Sequence, residues 1–131
     1  MILDSSAIYT IMWLGNLKFL KDASTSSLAK YELGNVIWKE VYLKKKLSID
    51  EGVKILNLIT RILKEVEVLK VNGLEEETLR LACNEGLTFY DAVYLQLAIK
   101  NKEALVTEDN KLYQVAKNYV NTYKVEELIK T

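Results

Sequence analysis

The chain has no histidine and no proline, a single cysteine and only five glycines among 131 residues. Each shortage excludes something. Without histidine there is no Ser-His triad, no imidazole acid–base pair and no imidazole-ligated metal. One cysteine, Cys83, rules out an internal disulfide framework and a cysteine-based zinc site. Lys plus Arg balances Asp plus Glu at 18 each, so no global basic field captures nucleic acid. Any such binding rests on a local patch or on metal. No run approaches the roughly 18 apolar residues of a membrane span. The opening Met1-Ile2-Leu3-Asp4 lacks the regions of a signal peptide, so a cytoplasmic protein with no membrane partner is expected. Chemistry at neutral pH falls to carboxylates, hydroxyls, Lys, Tyr or a bound ion.

What is present is ordinary for a globular protein: 50% hydrophobic and 27% charged residues, enough for one domain over 1–131 with a core of its own. With Pro absent, Ser, Asn and Asp do most of the punctuating. Met1 to Leu3 reads as a short buried strand, followed by a helix from Ser6 to Leu14. Ala23-Ser24-Thr25 reads as a second strand, after which Ser26 or Ser27 caps a long helix reaching about Lys45. Ser48 caps the next helix, to about Glu65, and Glu67 to Val71 alternates like a strand. Helices then end near Gly86 and Lys102, Ala104 to Thr107 is a buried-type strand, and a helix covers Asn110 to Asn118. A strand near Thr122 to Val125 and a short helix follow. Strands separated by helices imply an α/β fold with a mainly parallel sheet, whose sites form at the carboxyl ends of the strands.

Four acids stand where apolar segments end or are interrupted: Asp4, Glu32, Asp91 and Asp109. Each has an ordinary explanation. Asp4 and Asp109 suit helix N-caps, Thr88 to Asp91 fits a capping box, and Glu32 fits a solvated helix edge. Each explanation covers one residue, whereas a shared pocket covers all four. Two carboxylates about 5 Å apart at an effective dielectric of about 20 repel by roughly 3 kcal/mol, and a divalent cation is the natural way to hold such a group together. The residues alone therefore point to a metal-dependent hydrolase. Oxygen ligands without His or paired Cys favour Mg²⁺ or Mn²⁺, one or two ions, over Zn²⁺. Ser6 and Thr107 are candidates to hydrogen-bond the ligating carboxylates.

The ordered set resembles the PIN-domain nucleases, and in size and layout the VapC-type toxins. Ile2-Leu3-Asp4-Ser5-Ser6-Ala7 looks like that family's opening strand and first acid, and Tyr31-Glu32-Leu33 matches the second. Thr88-Phe89-Tyr90-Asp91-Ala92-Val93-Tyr94-Leu95 is similar to the third acidic motif, and Leu105-Val106-Thr107-Glu108-Asp109 to the fourth. The resemblance covers nearly the whole chain. It implies a three-layer α/β/α fold and a metal-dependent endoribonuclease, often a homodimer, held inactive by a cognate antitoxin. Asp4, Asp91 and Asp109 would be the main ligands, with Glu32 a ligand through water or the group that orients the attacking water. Where some relatives carry a further acid after the fourth, this chain has Asn110.

Lys39 and the run Lys44-Lys45-Lys46 are candidates to track an RNA backbone, though lysines also suit a helix C-terminus on dipole grounds. Tyr90 and Tyr94 flank Asp91 and read as base-stacking or core residues. Ile55, Leu56, Leu58, Ile59, Ile62, Leu63 and Val66 make an apolar surface wider than one stripe, a candidate seat for a second copy or an antitoxin. The alternative reading is a non-catalytic PIN-like module that binds RNA or protein. An aspartyl-phosphate phosphatase ranks lower, because Ser6 stands where a second Asp is expected.

Overall fold

The computed structural model describes residues 1–130. Five parallel strands form one sheet: β1 (Ile2–Leu3), β2 (Ser24–Ser26), β3 (Glu67–Leu69), β4 (Leu105–Val106) and β5 (Thr122–Tyr123), in the order β3-β2-β1-β4-β5. The registers pair Ile2 with Ser24 on one side and with Leu105 on the other. The helices are α1 (Ser5–Leu14), α2 (Ala29–Trp38), α3 (Ile49–Leu63), α4 (Glu75–Glu85), α5 (Phe89–Asn101), α6 (Asn110–Ala116) and α7 (Val125–Lys130).

Side chains alternate across a strand, and here the alternation builds two cores. Leu3 and Val106 enter a cluster with Ile8, Ile11, Leu33, Ile37, Ile59 and Ile62 from α1, α2 and α3. Ile2 and Leu105, their neighbours in sequence, enter a cluster with Leu81, Tyr94, Leu95 and Leu112 from α4, α5 and α6. The expected three-layer architecture is thus present, with both faces of the central strands covered. That coverage is why β1 and β4 are wholly apolar.

Most boundaries fall where capping chemistry puts them. Asp4 caps α1, Gly15 ends it in the left-handed conformation, and Ser48 and Glu51 form a complete capping box on α3. Gly86 closes α4 at φ 69°. Three features depart from expectation. Leu17–Leu20 forms an unexpected 3₁₀ turn. Neither Ser26 nor Ser27 caps α2; Ser26 ends β2 with its hydroxyl on the Leu28 N–H, and the helix starts at Ala29. The long helix also ends early as an α-helix. Lys39–Leu43 forms a π turn in which the Lys44 N–H reaches Lys39 O at 2.8 Å. Residue periodicity does not separate a wide turn from a continuing helix, so sequence cannot show it.

Gly52 explains the close approach of α3 to that turn: a Cβ there would lie 2.7 Å from Val41 Cγ2 and 3.3 Å from Ile37 Cγ2. For Gly52→Ala, overpacking costs about 1–3 kcal/mol against about 1 kcal/mol gained in helix propensity. A net loss of about 1 kcal/mol in urea denaturation is the expected outcome. A variant as stable as its parent would show that the Val41 contact imposes nothing.

Candidate active site

The strand order reverses between β1 and β4: β2 and β3 follow on one side of β1, and β4 and β5 lie on the other. A crevice at such a switch point, beyond the carboxyl ends of the strands, is where open α/β sheets place their ligands. Asp4 follows β1 and Asp109 lies just past β4. The Asp4 N–H donates to Val106 O at 3.2 Å, which ties the two strand ends together.

Asp4 is buried at 4% exposure. Its Oδ1 accepts from Ser6 Oγ at 2.6 Å and from the Ala7 N–H at 2.9 Å, and its Oδ2 accepts from Thr107 Oγ1. An ionised carboxylate has about four acceptor positions, so one remains for a further ligand. Burial nevertheless dominates and pushes the carboxyl up to about 6. The three donors oppose that shift, and the Asp91 charge adds to it.

Thr107 and Ser6 do more than touch Asp4. The Asp109 N–H donates to Thr107 Oγ1 at 3.0 Å, and the Glu108 N–H donates to Ser6 Oγ at 2.9 Å. Two hydroxyls therefore lock the loop after β4 onto the loop after β1. Asp109 itself caps α6, accepting from the Leu112 N–H at 2.8 Å. The capping reading holds for Asp4 and Asp109, and it is compatible with a ligand role.

Asp91 decides between cap and site. Only half of its capping box forms: the Asp91 N–H donates to Thr88 Oγ1, without the returned bond that Glu51 makes to the Ser48 N–H. Its carboxyl is raised first by burial, then by the charges of Asp109 and Glu32. Asp91 thus feels the other three acids: Asp109 and Glu32 directly, and Asp4 through the shift it causes there. The ion pairs of the described residues join Met1 to Glu103, Lys44 to Glu40, Arg80 to Glu76 and Lys130 to Glu126. None of them neutralises this quartet. Among the described residues no three acids close into a ready ligand cluster. An all-oxygen donor set with a spare acceptor position and uncompensated charge fits a hard divalent cation.

Glu32 is held by a residue that sequence reading takes for core or stacking. The Tyr94 hydroxyl donates to Glu32 Oε1 at 2.6 Å, while the Tyr94 ring is buried. Burial, the Glu32 charge and that hydrogen bond all raise the phenol, so Tyr94 stays protonated as a donor. A tyrosine three residues after Asp91 shares its helix face, which was the available clue. Asn110 Oδ1 accepts from Lys124 Nζ at 2.6 Å. Lys44 pairs with Glu40, Lys45 lies over the Tyr42 ring, and Lys46 is exposed beside them. Only Lys39 of the four lysines lines the groove next to Glu32. A larger cleft of about 510 Å³ opens around Lys102, Lys117 and Asn121, at the opposite end of the strands from the acids.

Two measurements test this electrostatic arrangement. A folded-state pKa of about 6 against 3.8 means the native state binds the Asp4 proton more tightly. Stability from this group therefore falls as pH rises from about 4 to about 6. In EDTA, the protein should gain about 1 kcal/mol between about pH 7 and pH 5, with Asp91 adding in the same direction. A thermal melt showing higher Tm at the higher pH contradicts it. Asp91→Asn removes repulsion at a partly exposed position, so solvent screening limits the metal-free gain to at most about 1 kcal/mol. The same change should remove most stabilisation by added Mn²⁺. Unchanged metal response would leave Asp91 a helix residue only.

Comparison with known proteins agrees with the fold. The PIN domain family model matches residues 1–118. Exonuclease VapC9 of Pyrobaculum aerophilum is 32% identical over 125 residues, covering 92% of this chain and 88% of that protein. Ribonuclease VapC3 of the same organism is 32% identical over 92 residues, 70% of each chain. The crystal structure of PAE2754 from P. aerophilum superposes with a TM-score of 0.85 at 30% identity, over 98% of this chain and 85% of that one. Acids placed just after β1 and β4 at the switch point of a 3-2-1-4-5 sheet, and a family match over almost the whole length, lead to one conclusion: this chain belongs to the PIN domain family.

Proposed function

We propose that this protein is a metal-dependent ribonuclease, the toxin of a VapBC-type pair, which hydrolyses phosphodiester bonds at the Asp4–Glu32–Asp91–Asp109 crevice. The observation that carries the reading is Asp4 buried at the end of β1 and hydrogen-bonded to the loop that carries Asp109, with none of the four acids in an ion pair among the described residues. Membership of the PIN family and relatives named as a ribonuclease and an exonuclease support the same chemistry.

Asp4, Asp91 and Asp109 would hold Mg²⁺ or Mn²⁺. When bound, one or two such ions supply Lewis acidity at a phosphate oxygen and lower the pKa of a water. The protein's own groups do the positioning. Thr107, Ser6 and the Ala7 N–H hold Asp4 in one orientation. Tyr94 fixes Glu32, whose free oxygen is the acceptor that orients the attacking water. With no histidine in the chain, activating the RNA's own 2′-hydroxyl lacks its usual base. Hydrolysis by water leaves 5′-phosphate and 3′-hydroxyl ends.

A circular single-stranded RNA incubated with Mn²⁺ tests both reaction and mode. Linearisation with 5′-phosphate and 3′-hydroxyl termini is expected, and loss of cutting in Asp91→Asn ties it to this site. Products with 2′,3′-cyclic phosphate overturn the mechanism. An intact circle beside a degraded linear RNA overturns internal cleavage and leaves an exonuclease.

The proposed antitoxin, and a second copy of the chain, would seat on the apolar side of α2 and α3. Ile55, Ile59, Ile62, Leu63 and Val66 are taken up wholly or partly by the core. Leu56 and Leu58 remain exposed together with Trp38, Tyr42, Ile49 and Val53. Most of these line a groove of about 380 Å³ between α2, the π turn and α3. Single exposed apolar residues need no explanation, but a contiguous patch does. Val53→Asp should leave Mn²⁺-dependent cleavage intact while abolishing concentration-dependent association in sedimentation velocity. Unaltered association removes this face from the interface.

A further inference from the structure

Beside the acids lies a second groove, of about 450 Å³, which phosphodiester hydrolysis alone does not require. It is lined by Ser5, Tyr31, Glu32, Asn35, Lys39 and Tyr90. Glu32 itself lines the groove, Ser5 follows Asp4 and Tyr90 precedes Asp91, so the groove adjoins the acids. Its two rings are unusually bare: Tyr31 is 73% exposed and Tyr90 58%.

Four other rings pair with each other. Trp38 and Tyr42 stack on each other at 5.5 Å in the apolar groove, and Tyr9 meets Trp13 edge-on at 6.0 Å. Neither Tyr31 nor Tyr90 has a ring partner or a side-chain hydrogen bond among the described residues. The charges suit a polyanion's path. Lys39 makes no ion pair among the described residues, and Lys30 lies over the Tyr31 ring at 6.0 Å. Two unpaired aromatic faces with cations alongside are the parts of a single-strand stacking platform.

We propose that Tyr31 and Tyr90 form a subsite that stacks an unpaired nucleobase next to the scissile phosphate, with Lys39 on the neighbouring backbone phosphate. The subsite rests on the ribonuclease reading above for its location, but it is tested by binding rather than by cleavage. Its consequence is specificity. A base must leave its helix to reach the rings, so the groove selects unpaired RNA and rejects a continuous duplex, whose bases are stacked and paired. Asn35, exposed on the same helix face, supplies both a donor and an acceptor toward the edge of that base.

The test uses a fluorescein-labelled single-stranded oligoribonucleotide and the same strand in a duplex, with binding read by anisotropy on the Asp91→Asn background. Stacking is worth about 1–3 kcal/mol per base, so Tyr31→Ala and Tyr90→Ala should each weaken single-strand binding about 5- to 100-fold. Tyr31→Phe and Tyr90→Phe keep the ring and should stay within about 3-fold of the parent. Lys39→Gln should flatten the salt dependence by about one phosphate contact. All these side chains are exposed, and unchanged melting temperatures confirm that the fold is retained. Duplex binding as tight as single-strand binding, or alanine variants that bind like the parent, overturns the subsite. Failure of the two readings is separable. Wild-type cleavage that is indifferent to both alanine changes removes the platform and keeps the nuclease. Tyrosine-dependent binding without any Mn²⁺-dependent cleavage keeps the platform and removes the nuclease.

Discussion

A charged group at the end of the central strand has to be held by something other than water, and the organisation of this molecule follows from how that is done. Asp4 is placed by β1 where solvent scarcely reaches it. Its hydrogen bonds come from α1, through Ser6 and Ala7, and from the loop after β4, through Thr107. The same hydroxyls accept the backbone N–H groups of Glu108 and Asp109. One buried carboxylate thereby fixes the start of a helix, the pairing of two strand ends and the presentation of a second acid. Hydrogen bonds to a charged group are worth more than neutral ones, at about 1.5–3 kcal/mol each. They still do not overcome the burial of the charge, so the Asp4 carboxyl is harder to ionise than an exposed one.

That balance also divides labour among the acids. Asp4 is the immobile member, ringed by donors. Glu32 is held by one phenol, and Asp109 by one backbone N–H. Asp91 has the Thr88 hydroxyl beside it and feels the charges of Asp109 and Glu32.

Much of this was legible before any coordinates. The alternation of short apolar runs with capped helices announced a parallel sheet, and the caps themselves, Asp4, Ser48, Thr88 and Asp109, marked most helix starts. Asp4 and Asp109 stand out in the sequence because each sits at a handover between elements, and Glu32 and Asp91 because each lies in the first turn of its helix. What could not be read depends on distance through space rather than along the chain. The π turn after Trp38 looks like continuing helix in sequence, and only its contact with Gly52 makes it intelligible. Tyr90 and Tyr94 look equivalent on either side of Asp91. One is exposed in a groove, and the other is buried with its hydroxyl on an acid 62 residues earlier. The four lysines likewise separate only in space: one beside Glu32, the others near a different helix end.

The pairing of β1 with β4 has a consequence for how the protein is made. Thr107 and Asp4 are 103 residues apart, and Ile2 pairs with Leu105. Closing so long a loop comes late and slowly compared with local helix formation. A ribosome delivers the N-terminal strand first, so a nascent chain carries Asp4 and Glu32 long before Asp91 and Asp109 exist to join them. The crevice is complete only after the segment beyond β4 has emerged and inserted. The chain that encodes a nuclease therefore spends most of its synthesis without an assembled site, close to the RNA-rich machinery that is making it.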